Sequence, residues 1–277
     1  MTEHDSRQPA DEPTDGAARP LALVTGASTG IGRALAQQFA DHGFDLVIAA
    51  EDDAIWSAAD ALRGSGAAVS VEQVDLATAE GVTALHAAAR KAGTVAAAAL
   101  NAGIGVSGSF TETDLDSDLR LVDLNCRSTV HLAKLLARDM VRTGAGRLLF
   151  TSSIAAKAPG PYHATYAASK AFVHSFAEAI RVELAGTGVT VTSLMPGPTE
   201  TDFFERADML DTKLGAKDGK DDPDDVARDG YEALMAGKDH VVAGSRSNAV
   251  QASAASAMPD SWAASAMSRM TEPGSAD

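Results

Sequence analysis

A tyrosine and a lysine stand four residues apart in the run Tyr166-Ala-Ala-Ser-Lys170. On a helix that spacing puts both side chains on one face, about one turn apart. A phenol with an ordinary pKa of about 10 is a poor acid or base at neutral pH, whereas a neighbouring ammonium favours the phenolate. Matching a neutral working pH needs a fall of about two to three units, worth roughly 3–4 kcal/mol, a large demand on one cation. Ser153 stands thirteen residues before Tyr166, at the end of an apolar run, where a hydroxyl can add a hydrogen bond at the same centre. Ser152, beside it, is its rival. Tyr162 is followed four residues on by Tyr166 rather than by a lysine.

The second chemical feature is the run Thr25-Gly26-Ala27-Ser28-Thr29-Gly30-Ile31-Gly32. Glycine lets a chain turn sharply and lets backbone approach a pyrophosphate closely. The apolar run Leu21-Ala22-Leu23-Val24 precedes it, and a helical pattern through Ile31, Leu35, Ala36 and Phe39 opens within it, stopping at Gly43. A helix N-terminus at that point offers free N–H groups and a partial positive charge to phosphates.

Both features need a scaffold, and the pattern supplies one. Strands are expected over 21–24, 45–50, 68–74, 95–100, 147–151, 189–194 and 240–243. Helices are expected over 54–63, 79–91, 114–142, 165–185 and 224–235, besides the one after the glycine turn. Strands alternating with helices imply an α/β fold, a single doubly wound parallel sheet of Rossmann type with helices on both faces. The boundaries read as an acidic, disordered lead-in over 1–20, one domain over 21–244 and a C-terminal extension over 245–277. That extension is either a docked amphipathic segment or a loose tail. Residues 202–222 break the regular pattern, with Phe203, Phe204, Met209 and Leu210 among charges. The stretch from Thr201 to Asp222 is expected to close over a substrate; Phe203, Phe204 and Met209, with Met195, either form an apolar pocket or simply anchor the lid.

A net charge of −15 argues against nucleic-acid or anionic-membrane partners. Cys126, the one cysteine, lies in an apolar helical pattern and reads as a buried thiol. The first twenty residues lack the apolar stretch of a signal peptide, and no apolar run is long enough to span a membrane, so a cytoplasmic location is expected. His163 and His174 read as surface or supporting residues. No His, Cys or carboxylate cluster has metal-ligand spacing, so no metal is expected.

With its Gly-x-x-x-Gly-x-Gly spacing, the stretch from Thr25 to Gly32 resembles the cofactor signature of short-chain dehydrogenases/reductases. Further matches follow in that family's order: Asp75-Leu76, Asn101-Ala102-Gly103, Asn125, Ser152-Ser153, Tyr166 to Lys170, and Pro196-Gly197. The resemblance implies an NAD(P)-dependent oxidoreductase acting on a carbonyl or secondary alcohol. It assigns Tyr166 as proton donor and acceptor, Lys170 to the nicotinamide ribose and to lowering the tyrosine pKa, and Ser153 to the substrate oxygen. Asn125 distorts its helix and supports a relay water. Cofactor contacts fall to Gly26, Ser28, Thr29, Gly30, Ile31, Gly32, Asp75, Leu76, Asn101, Ala102, Gly103, Pro196, Gly197, Thr199 and Thr201. Leu100 departs from the family, which often has asparagine there. Where NADP users carry arginine near the end of the second strand, this chain has Glu51-Asp52-Asp53. NAD(H) is therefore expected over NADP(H), with Glu51 on the ribose. The resemblance also suggests a homodimer or homotetramer paired through the helices beginning near 114 and 165. A dinucleotide-binding sensor without turnover, or an epimerase or dehydratase on the same fold, are the alternatives.

Overall fold

Seven short runs become strands: β1 (Leu21–Thr25), β2 (Asp45–Ala50), β3 (Val69–Gln73), β4 (Val95–Leu100), β5 (Gly146–Thr151), β6 (Val189–Pro196) and β7 (His240–Ala243). The structure is a computed structural model in which residues 19–276 are described, so the lead-in expected over 1–20 lies almost wholly outside the described residues. The strands form one sheet in the order β3-β2-β1-β4-β5-β6-β7, with every neighbouring pair parallel. Strands covered on both faces can be continuously apolar, as β1 is from Leu21 to Val24. Chain order reverses between β1 and β4, which leaves a crevice at the carboxyl ends of those two strands.

Helices α1 (Gly30–Asp41), α2 (Ala54–Arg63) and α8 (Pro223–Met235) pack one face through Leu35, Phe39, Ile55 and Tyr231. Helices α3 (Ala79–Ala92), α5 (Ser128–Thr143) and α6 (Ala164–Glu183) pack the other through Leu85, Leu136 and Val173, in one core with Phe150 of β5. Thr78 and Asp222 cap α3 and α8 by accepting backbone N–H bonds, and Pro223 opens α8. Met195 is fully enclosed in β6 and does not line the cavity, contrary to its expected place in the pocket.

The long helix expected over 114–142 is interrupted. It runs as α4 (Leu115–Val122), a wide π turn (Asp123–Arg127) and then α5. Asn125 sits in that turn, 1% exposed. Its Oδ1 accepts from Ile104 N at 2.9 Å, and its Nδ2 donates to Ile104 O at 2.9 Å and to Ser169 Oγ at 3.0 Å. A buried amide must be paired, and pairing it across to a loop holds the extra residue in the helix. Cys126 in the same turn is half-buried rather than enclosed, and burial pushes its thiol pKa up.

After the short helix α7 (Phe203–Arg206), the C-terminal extension forms α9 (Arg246–Ala257) and α10 (Asp260–Thr271). It is docked. Thr271 Oγ1 donates to Pro161 O at 2.8 Å, Leu214 N to Met270 O at 2.9 Å, and Ala276 N to Asp211 O at 2.9 Å.

Candidate active site

A cavity of about 1090 Å³ runs along the carboxyl edge of the sheet, from the ends of β2 and β3 across the β1/β4 crevice to α10. Its walls include every residue expected to bind cofactor except Asp75, and every expected catalytic residue except Asn125.

The glycine turn forms one wall. Gly26 and Gly30 have φ of +65° and +55°, where L side chains are strained. A Cβ on Gly32 would lie 2.0 Å from Gly26 O, so this close packing requires glycine. Thr29 caps α1 without a side-chain hydrogen bond, and the first turn carries no acid. The helix therefore keeps its N–H donors for an anion, unlike α3 and α8. Thr25 Oγ1 accepts from Asn101 N at 2.9 Å and Ala102 N at 3.0 Å, tying β1 to the loop after β4.

At the reaction end, Tyr166 and Lys170 project from α6 as the four-residue spacing predicts, with Lys170 Nζ 5.8 Å from the centre of the tyrosine ring. Lys170 is 6% exposed and donates to Thr151 O at 2.9 Å. Burial pushes its pKa down to about 8. Gly103 packs closely here: a Cβ would sit 3.0 Å from Asn125 Oδ1 and 3.2 Å from Lys170 Nζ. Burial pushes the Tyr166 phenol up to about 12, although a hydrogen bond with Ser153 pulls the other way. The lowered tyrosine pKa expected of the lysine is thus absent in the chain alone. The phenol stands as a protonated acid.

The two serines separate cleanly. Ser152 is buried and donates to Lys170 O at 2.8 Å. Ser153 accepts from Ala155 N at 3.1 Å and lines the cavity beside Tyr166. His163 is not a surface residue: it is 4% exposed and lines the cavity, and burial drives its pKa down to about 4. His174 lies outside the cavity, within hydrogen-bond distance of Lys157 Nζ at 2.9 Å and Ser193 Oγ at 3.0 Å.

The adenosine end holds a cation that no sequence motif marks. Arg120, on α4, donates to Asp75 Oδ2 at 3.0 Å and pairs with Glu51. Asp52 accepts from Ser28 Oγ at 2.9 Å. Asp75 also accepts from Ala77 N, and its carboxyl lies below the usual range, the Arg120 hydrogen bond and charge outweighing burial. Asn248 of α9 is a second unforeseen support: its Nδ2 donates to Asp221 Oδ2 at 2.6 Å and Ala243 O at 3.0 Å, and its side chain packs against Gly197. Fold alone also brings Glu178, Asp239 and His240 within 4.8 Å of one another, away from this cavity, though Arg181 already pairs with Glu178.

The donor set suits a dinucleotide. Of the buried side-chain atoms without a hydrogen-bond partner among the described residues, Ser107 Oγ, Thr151 Oγ1 and His163 Nδ1 all belong to cavity-lining residues. Hydrogen-bonding capacity left unspent is costly unless a ligand or water takes it.

Comparison with known proteins agrees. The family profile described as short chain dehydrogenase matches residues 20–209. An uncharacterized oxidoreductase of Staphylococcus saprophyticus is 32% identical over 218 residues, 78% of this chain and 91% of the relative. A short-chain dehydrogenase from Sphingobium yanoikuyae, solved in complex with NADPH, superposes with TM-score 0.75 at 29% identity, covering 80% of this chain and 87% of its own. One from Burkholderia phymatum, in complex with NAD, gives TM-score 0.75 at 27% identity, covering 81% and 88%. The bulky-bulky ketone specific alcohol dehydrogenase from Comamonas testosteroni gives 0.72 at 27%, covering 80% and 85%. No helix among the described residues is long and apolar enough to cross a membrane. This chain belongs to the short-chain dehydrogenase family and is an NAD(P)-dependent oxidoreductase acting on CH–OH/C=O groups.

Proposed function

We propose that Tyr166 is the acid/base of this enzyme, serving a ketone or secondary alcohol of moderate size, with NAD(H) preferred over NADP(H). The observation that carries it is the grouping of Tyr166, Ser153 and Lys170 in one cavity wall, continuous with the uncapped glycine turn. A bound nicotinamide dinucleotide supplies the hydride and, when oxidised, a positive charge. Gly26, Ser28, Thr29, Gly30, Ile31 and Gly32 present donors to its phosphates, Asn101, Ala102, Gly103 and Leu76 line the path, and Pro196, Gly197, Thr199 and Thr201 hold the nicotinamide end.

Tyr166 Oη donates its proton to a carbonyl oxygen, or takes one from a hydroxyl, and Ser153 fixes that oxygen. Reduction suits the protonated phenol as it stands. Oxidation needs phenolate, and the cationic Lys170 together with the oxidised cofactor favours it. Asn125 contributes by holding the loop 101–104 against α6, since its amide is fully spent there.

The NAD(H) preference is supported by Glu51 and Asp52 in the cavity wall, and by the engagement of Arg120 with Glu51 and Asp75. Such a site repels a 2′-phosphate. A cytoplasmic homodimer or homotetramer completes the proposal: Leu115 and Leu119 on α4 and Phe172 and Val182 on α6 are exposed large apolar residues on the helices expected to pair. Tyr166→Phe tests the core claim. Turnover of ketones should fall at least a thousandfold while NADH still binds; a variant that keeps turnover removes Tyr166 from the chemistry.

A further inference from the structure

Resting on that assignment of the cavity, we propose that the lid 201–222 and helix α10 form an adaptable apolar wall that selects an uncharged ketone or secondary alcohol bearing a bulky hydrocarbon group. Four of the eight methionines, Met209, Met258, Met267 and Met270, line this one cavity. Methionine is unbranched and polarizable, so it moulds to ligands of different shape. The wall begins at the tyrosine itself. The Tyr166 and Phe203 rings are 5.1 Å apart, and Phe203 and Phe204 are 5.7 Å apart. Phe204, Ala207 and Met209 form a separate buried apolar cluster with Phe203 and Leu214 packed on it.

Helix α10 is tied both to the lid and to the segment just before α6. Leu214 N donates to Met270 O at 2.9 Å on the lid side, and Thr271 Oγ1 donates to Pro161 O at 2.8 Å just before α6. The family profile ends at residue 209, so α10 lies beyond the residues it matches. Within the lid, charge is kept to the rim. Asp202, Arg206, Asp208 and Lys217 line the cavity from exposed positions, and Asp202 and Arg206 pair with each other. His163, the buried imidazole near Tyr166, stays neutral at physiological pH and offers a carboxylate or phosphate no counter-charge.

The test compares 2-butanone, 2-hexanone and 2-octanone with 2-oxo acids of the same length. Specificity should rise about fourfold per added methylene until the wall is filled, and each oxo acid should be at least tenfold poorer than its ketone. Titrating 2-octanol calorimetrically into the chain, with and without NADH, reads the wall independently of turnover. Met267→Gln and Met270→Gln should each weaken 2-octanol binding several-fold while the NADH dissociation constant stays put, with circular dichroism confirming the fold. A flat ketone series, a preference for oxo acids, or 2-octanol binding indifferent to both substitutions overturns the wall. Failure to bind both NADH and NADPH would instead overturn the dinucleotide assignment, and 2-octanol titrated into the chain alone would still decide the wall.

Discussion

Replacing Lys170 by methionine separates the electrostatic cost of the site from its function. Lys170 is 6% exposed, so solvent screens it little. Its pKa falls from 10.5 to about 8 because burial penalises the charged form. A gap of about 2.5 units corresponds to roughly 3 kcal/mol. The unfolded chain holds the extra proton between those two values, so the folded state gains stability as pH rises from about 8 to 10.5 and loses it as pH falls back through 8. Methionine fills similar space without a charge. At pH 7 the variant gains about 3 kcal/mol by removing the buried cation and gives back about 1–3 kcal/mol by leaving the Thr151 carbonyl unpaired. Its stability should therefore match or modestly exceed the wild type there, while nicotinamide-dependent turnover collapses. Between pH 7.5 and 10.5 the wild type should gain about 3 kcal/mol relative to the variant. Urea unfolding of the cofactor-free chains, followed by circular dichroism at half-unit pH steps, measures this difference, and titrations common to both chains cancel. Parallel stability curves across that range would refute a neutralised, buried Lys170.

Three further outcomes are expected. Glu51→Gln releases Arg120 from one partner and removes a carboxylate from the ribose end, so NADPH affinity should rise about tenfold relative to NADH, by fluorescence titration; an unchanged ratio would remove Glu51 from cofactor selection. The Tyr166 phenol, pushed up to about 12, should leave the tyrosinate absorbance of the cofactor-free protein identical to that of Tyr166→Phe below about pH 11, and a difference between the two at pH 9 would show a lowered pKa. Asn248→Ala removes the bonds to Asp221 and Ala243 beneath the Gly197 loop, and should cost about 1–3 kcal/mol in chemical denaturation; a loss under 0.3 kcal/mol, by the same estimate, would show that α9 does not brace that loop.

Local pattern was enough to place what depends on short-range chemistry. The apolar run before Gly26, the glycine spacing and the helix stop at Gly43 specify a βα turn wherever they occur, and the alternation of elements fixes a parallel sheet. The four-residue spacing puts Tyr166 and Lys170 on one helix face regardless of tertiary context. Long-range placement lay beyond it. Arg120 reaches Glu51 and Asp75 only because the fold brings α4 near the residues that follow β2 and β3, a pairing over 69 and 45 residues of sequence. The Tyr166 and Lys170 pKa values are set by burial, which depends on every surrounding element and on no local pattern. His163 carries no sequence mark of being enclosed. The even choice between tail and docked segment at the C-terminus was decided by bonds to Asp211, Leu214 and Pro161, partners that helical periodicity does not contain.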